Sequence, residues 1–387
     1  MKILIVTPIF PPQIGGPATY TFDLAKRLAG KHELTIVTFG VKPKKVEAVK
    51  IMAVPLHNEF FGTIRRQTAL ASAIGKEARR NDVIYTQGAV VVGFASALIA
   101  KLTGKPLILK FVGDEVWEEA HRKGMTNLKL EEFLGASRKP LFFLVAQWLQ
   151  KQSLKTAKKI VVPSVYLKNI VTKFYGIEES KIEVINNAVE IQRPKRITQS
   201  KRTIILSSGR LVPHKRFGLL ISAFNDLLKH VPKELTKTLE LQIIGEGDAG
   251  KDLLEMINTL NLSKKVKLVG RLERETYLQR LRMVKIFVLV SSYEGLSHAI
   301  IEAMLSEVPV VASDIPGNRE VIEHEKTGLL TKTATEDLSD AIKRMLTDEE
   351  LTKQIKLNAK RNAQQRFGWR TNIERLVHLL REESSSA

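Results

Sequence analysis

Thr203-Ile204-Ile205-Leu206-Ser207-Ser208-Gly209-Arg210-Leu211-Val212-Pro213-His214-Lys215 is the stretch on which the fold turns. It opens as a short, largely apolar run of strand length, closes on Gly209, and is followed at once by two cations five residues apart. A run of this kind suits a strand covered on both faces, as in a parallel sheet. The same reading extends outward. In the second half, strands are expected at Leu239–Gly245, Val266–Gly270, Ile286–Val290, Pro309–Ala312 and Gly328–Leu330. In the first half they are expected at Lys2–Thr7, Leu34–Phe39, Asp82–Gln87, Pro106–Val112, Ile160–Pro163 and Ile182–Asn186. Amphipathic helical segments lie between them, so the class is α/β with doubly wound parallel sheets.

The chain has 387 residues, too many for one ordinary core and suited to two such domains. Val189 to Arg202 is polar, contains Pro194 and holds five basic residues, so it reads as the linker between a domain over 1–190 and one over 200–368. The last helical stretch, about 370–387, follows Phe367-Gly368-Trp369 and is assignable to either domain. There is no cysteine, which excludes disulfides, thiolate nucleophiles and thiolate metal sites and fits a reducing cytoplasm. The apolar run at the N-terminus stops at Pro8, far short of a signal or spanning segment, and reads as the first buried strand.

Net charge is +20 and uneven: residues 1–200 hold 31 Lys and Arg against 16 Asp and Glu, the remainder 30 against 25. A cationic first half favours an anionic partner, whether a phospholipid surface, a polyprenyl-phosphate or acidic glycan, or nucleic acid. A generally Lys-rich surface explains the same numbers. For nucleic acid no recognition motif is present. The Leu141–Leu149 segment, followed by Lys151, Lys155, Lys158 and Lys159, reads either as a basic amphipathic segment on a membrane or as a core helix feeding the strand at Ile160.

Several loops carry candidate chemistry. Arg210 and Lys215 follow a strand at the edge where open parallel sheets bind ligands, and a planar fork beside a point charge suits a diphosphate. Ser291 to Glu302 follows another strand; Ser297 is a helix N-cap, amides near Leu296 and Ser297 face a phosphate, and Glu294 and Glu302 take hydroxyl hydrogen bonds or are plain surface glutamates. Gly15-Gly16 precedes a helix opened by Pro17 and serves either an anion or an ordinary turn. Gly245-Glu246-Gly247-Asp248-Ala249-Gly250 matches the dinucleotide fingerprint, but on the second strand of its half and without the expected ribose-binding acid. Asp114 either binds an acceptor hydroxyl or caps the next helix. Metal-ligand spacings are lacking, so no metal and no cofactor are expected.

Together these segments resemble the retaining glycosyltransferases of family 4, a large group with the GT-B fold of two Rossmann-like domains facing a cleft. The resemblance rests on Gly209-Arg210-Leu211 with Lys215, on Glu294 to Glu302 ending in Glu302-Ala303-Met304, and on Pro309-Val310-Val311-Ala312 with Gly317 and Glu320. It implies an N-terminal acceptor-binding and a C-terminal donor-binding domain, with transfer of a hexose from a UDP- or GDP-sugar to a glycan, lipid-linked or small-molecule hydroxyl. Arg210 and Lys215 would hold the diphosphate, Glu294 the sugar and Glu302 the ribose. Gly15 and Gly16 would complete the phosphate site, backbone near Arg271 and Leu272 would meet the base, and Gly245 to Gly247 would pack beside the nucleotide. Gly209, Gly295, Leu296 and Ser297 join this donor set, and Arg210, Lys215, Glu294 and Asp114 form the catalytic one. The resemblance also implies a cytoplasmic protein of cell-envelope glycan synthesis, peripheral on the inner face of the membrane if it binds lipid. Two departures stand out: Val112 where many members have His, and Ser306-Glu307 where a small residue and glycine are usual. A scaffold that kept the fold without activity, and a dinucleotide enzyme, are the competing readings.

Overall fold

The computed structural model describes residues 1–13, 15–55, 62–191 and 202–385. The expected linker falls largely on 192–201, outside the described residues. The chain divides into two compact units, Met1–Ala188 with Arg370–Ala387, and Val189–Trp369.

The first unit is built on a seven-stranded parallel sheet: β1 Lys2–Thr7, β2 Glu33–Phe39, β3 Val49–Val54, β4 Val83–Gln87, β5 Leu107–Lys110, β6 Lys159–Val162 and β7 Ile182–Val184, in the order β3-β2-β1-β4-β5-β6-β7. Ile5 lies opposite Ile36 on one side and Tyr85 on the other, all three fully buried. The central strands β1, β4 and β5 are buried along nearly their whole length because helices cover both faces. Their apolar residues, with Leu70, Ile74 and Leu154 from the covering helices, make the core. The terminal helix Trp369–Ser385 joins this unit. Tyr20 donates to Asn372 Oδ1 at 3.1 Å, Asn372 Nδ2 to the Asn186 carbonyl at 2.6 Å, and Lys158 Nζ meets Glu383 Oε2 at 3.2 Å.

The second unit holds β8 Thr203–Ser208, β9 Leu239–Ile244, β10 Val266–Gly270, β11 Ile286–Leu289, β12 Val310–Ser313 and β13 Leu329–Thr331, all parallel, in the order β10-β9-β8-β11-β12-β13. Every strand expected from the sequence is present, with ends displaced by at most two residues. Only β3 was not expected. It is an edge strand with a mixed, half-exposed pattern that lacks the continuous apolar run of its neighbours.

In each sheet the chain winds outward from its first strand, returns, and winds the other way. The order therefore reverses between β1 and β4 and between β8 and β11, and the loops leaving the carboxyl ends of such a strand pair diverge to leave a crevice.

Candidate functional site

In the second unit the crevice lies between the loops after β8 and β11, and those loops carry the residues singled out from sequence. After β8 the chain turns at Gly209, exposes Arg210, and makes a short 3-10 turn at Pro213–Lys215. After β11 it runs from Val290 to Ser297 almost entirely buried. The two loops are joined: Ser292 N donates to the His214 carbonyl at 2.8 Å, and Lys215 Nζ to Glu294 Oε1 at 2.6 Å. Side chains of Lys215 and Glu294 are 16% and 11% exposed, so this pair is shielded from water in a way that a surface ion pair is not. Ser291 Oγ donates to the same Glu294 oxygen at 2.7 Å and fixes the carboxylate from its own strand end.

Beneath Glu294 the backbone is held tightly. Ser313, at the end of β12, accepts from Ser291 N at 3.0 Å and returns its hydroxyl to the Ser291 carbonyl at 2.6 Å. Gly317 passes so close that a Cβ there would stand 1.8 Å from the Glu294 carbonyl oxygen. Past Glu294, Gly295, Leu296 and Ser297 are buried; the Ser297 hydroxyl caps the helix His298–Leu305 by accepting from Ile300 N at 3.4 Å. That capped end presents backbone amides at the crevice, a favourable place for an anion.

Glu302 lies in this helix, 6% exposed. Its Oε1 accepts from Arg274 Nη1 at 2.6 Å, and Tyr277, 3.1 Å from Ser208 Oγ, reaches the same carboxylate. Burial pushes the Glu302 carboxyl above the usual range, with Arg274 and Tyr277 opposing the shift. Burial, the Glu302 charge and their hydrogen bond raise the Tyr277 phenol in turn. Arg274 and Tyr277 were not anticipated. Their signal is a basic and an aromatic residue one turn apart on the short helix Arg274–Leu281 that follows β10. The expected base-contact residues precede that helix: Arg271 is exposed, and Leu272 packs on the apolar cluster around Ile244 and Ile300.

The fingerprint-like Gly245–Gly250 segment is a packing device. Gly245 has φ 147°, and a Cβ there would stand 1.9 Å from the Gly209 carbonyl oxygen; at Gly247 a Cβ would stand 2.4 Å from that of Leu211. Leu211 N donates to the Glu246 carbonyl at 2.9 Å and Ala249 N to the Leu211 carbonyl at 3.0 Å, so this loop braces the Arg210–Lys215 loop from the side. It follows β9, one strand away from the reversal, which removes the topological basis of a dinucleotide reading. The usual glycine before Pro309 is replaced by Glu307, which takes φ 59°, the left-handed conformation glycine adopts without cost. The replacement is thus carried as local strain, with Lys360 2.5 Å from its carboxylate.

In the first unit, the loop after β1 leads to Gly15, which precedes the helix Gly16–Leu28 and packs against Ile9, and to Gly16, the first residue of that helix. Asp114 was open to two readings, and the structure corrects the catalytic one: it is a helix cap, 0% exposed. Its Oδ1 accepts from Trp117 N at 2.8 Å, and its Oδ2 from Gln150 Nε2 at 2.7 Å and from Tyr175. Burial raises its carboxyl above 3.8, opposed by these hydrogen bonds. The neighbouring Glu115 does something sequence did not suggest. Its carboxylate accepts the amides of Ala89 at 2.5 Å, Val90 at 3.3 Å and Val91 at 2.9 Å, in the loop after β4. Lys110 is also buried, its amine 3.2 Å from the centre of the Tyr20 ring and its pKa held well below the usual lysine range by burial. Among the described residues there is no group of three His, Cys, Asp or Glu able to hold a metal ion.

Two family models match consecutive parts of the chain: Glycosyltransferase Family 4 over residues 14–193 and Glycosyl transferases group 1 over residues 188–362. The second takes in the β8 and β11 loops with every residue of the crevice just described. The chain belongs to glycosyltransferase family 4.

Relatives of this glycosyltransferase include the N-acetylgalactosamine-N,N'-diacetylbacillosaminyl-diphospho-undecaprenol 4-alpha-N-acetylgalactosaminyltransferase of Campylobacter jejuni, 29% identical over 66% of this chain and 78% of that one. The N-acetyl-alpha-D-glucosaminyl L-malate synthase of Bacillus anthracis is 23% identical over 92% and 91%. Among solved structures, Anabaena HepE in complex with UDP-glucose superposes with a TM-score of 0.78 at 20% identity, over 99% of this chain and all of that one. The likeness establishes the GT-B fold. The enzyme is accordingly a glycosyltransferase that moves a sugar from a nucleotide sugar.

Proposed function

We propose that the enzyme transfers a hexose from a UDP- or GDP-sugar to a hydroxyl of a glycan, lipid-linked or small-molecule acceptor, with retention at the anomeric carbon. The observation that carries this reading is the Lys215–Glu294 pair, 2.6 Å apart across the strand-order reversal with Arg210 exposed beside it. A cation positioned next to a carboxylate suits a ligand that is anionic at one end and hydroxylated at the other.

Negative charge builds on the leaving diphosphate as the glycosidic bond breaks. Arg210, Lys215 and the amides ahead of the Ser297-capped helix are assigned its stabilisation, in a setting whose dipoles are already oriented. Glu294, held by Ser291 and Lys215, is assigned a sugar hydroxyl, and Glu302 the ribose. No protein nucleophile is assigned. The acceptor proton would pass to a leaving-phosphate oxygen on the same face. Acceptor recognition is assigned to the first unit. The alpha linkages in the names of the Campylobacter and Bacillus relatives support retention, and the UDP-glucose complex of HepE supports a uridine donor.

A thermal-shift panel of UDP-, GDP- and ADP-sugars tests the donor assignment, because a true donor binds the native state and raises its melting point. Stabilisation by a UDP- or GDP-sugar that is lost in Glu302→Ala is the expected result. A panel that leaves the melting point unmoved would refute the assignment. Anomeric configuration of the product, read by NMR, tests retention.

A further inference from the structure

The first unit carries an apolar surface that its own fold does not use. In the helix Leu141–Thr156, residues Leu141, Leu144, Val145 and Trp148 fall on one stripe at helical spacing, and all are exposed, from 44% at Leu144 to 75% at Leu141. A helix on the outside of an α/β unit ordinarily turns polar residues to water on that stripe. Lys151 and Lys155 continue it. The helix Gly93–Thr103 packs alongside, joined through Phe94 and Trp148 with ring centres 6.4 Å apart, and adds exposed Leu98. The helix Gly62–Ala78 lies next to that one, with Gln67 donating to the Val91 carbonyl at 2.9 Å.

Charge separates the possible occupants of this face. Between Glu132 and Glu178 the chain has eight Lys and Arg and no acid. The three helices together hold Arg65, Arg66, Lys76, Lys101, Lys151 and Lys155 against one acid, Glu77, which is buried and paired to Lys50. A second copy of the chain would bring the same cations against themselves in a two-fold contact. A surface of anionic headgroups over hydrocarbon matches both components, taking the apolar stripe at the acyl boundary and the lysines at the phosphates. Among the described residues no helix is long and apolar enough to cross a membrane, so attachment would be peripheral.

We propose that this three-helix face docks on an anionic lipid bilayer, with Trp148 and Leu144 inserted and Lys151 and Lys155 at the headgroups. The sequence provides its own reporter: Trp117 and Trp369 are buried at 1% and 8%, whereas Trp148 is 55% exposed. The test is flotation with vesicles of phosphatidylcholine alone or mixed with phosphatidylglycerol, together with tryptophan emission. The protein should float with the mixed vesicles, its emission should move to the blue, and both should weaken as salt is raised. The double variant Leu144→Ser, Trp148→Ser should lose roughly tenfold or more in partitioning while melting like the parent. Lys151→Glu with Lys155→Glu should lose the preference for phosphatidylglycerol. Flotation indifferent to both pairs of substitutions, or absent with mixed vesicles, overturns the proposal. So does a concentration-dependent dimer in sedimentation that Trp148→Ser abolishes.

Discussion

Arg274 donates to Glu302 across 2.6 Å, and through this one contact a residue outside every recognised motif holds the carboxylate assigned to the donor ribose. Glu302 is buried, whereas the Arg274 side chain is 41% exposed, so solvent screens the arginine's share of the pair. Arg274→Ala should weaken nucleotide binding several-fold, on the order of 1 kcal/mol. Glu302→Ala should weaken it more, and in a Glu302→Ala background the arginine change should add nothing. Isothermal calorimetry over this double-mutant cycle measures the coupling, and additive losses would show that Arg274 does not act through Glu302.

Lys215→Ala removes the amine at the strand-order reversal and leaves Glu294 shielded without its cation. Turnover should fall by about 10²-fold or more, the scale of losing one preorganised charge stabiliser, and Arg210→Ala should fall in the same range. Initial-rate kinetics separate this from a binding defect, since kcat should drop further than KM rises. Near-normal transfer by Lys215→Ala contradicts the assignment.

Gly317 tests the same site from below. Its substitution by alanine places a Cβ 1.8 Å from the Glu294 carbonyl oxygen, so the β11 loop must move. A displacement near 1 Å at a reacting geometry costs about 10²-fold in rate. Gly317→Ala should therefore lose most of its turnover while circular dichroism shows a folded protein. Full activity would mean that Glu294 tolerates displacement.

The pH dependence of stability reports on Asp114. Its carboxyl is raised above 3.8 by burial, so between its unfolded and folded pKa values the native state binds the extra proton. The associated stability is present below pH 4 and is lost as pH rises through the raised pKa. Asp114→Asn keeps the acceptor for Trp117 N and removes the titration. The melting temperature of the parent minus that of the variant should fall as pH rises from about 4. A difference that grows with pH would contradict the burial of an acid at this position.

The reach of sequence reasoning follows the physics of each feature. The strand preceding Arg210 was legible because it is buried on both faces and centres on the apolar run Ile204-Ile205-Leu206; β3, at an edge, has Lys50 and half-exposed neighbours and announces itself weakly. Lys215 and Glu294 were legible as members of two strand-end loops, since the parallel order brings such loops together. Their direct pairing was not, because it depends on side-chain placement. Arg274 and Tyr277 sit in a polar, eight-residue helix whose composition resembles any solvated turn. For Asp114 the two readings differed only in burial, which a single sequence does not encode locally. Glu115 stood in a run of acids, and nothing in that run marks the carboxylate that takes three backbone amides.

The backbone contacts at Gly245, Gly247 and Gly317 carry a consequence for how such an enzyme diversifies. Turns after β8, β9, β11 and β12 touch main chain to main chain, with no side chain between them to absorb a change. An insertion or deletion in any of the four displaces the others, so length variation is shut out of this part of the molecule. Preference for one nucleotide donor over another is therefore open to alteration by exchanging side chains on or beside this platform, such as those at 210, 271 and 274, and closed to alteration by rebuilding the platform itself.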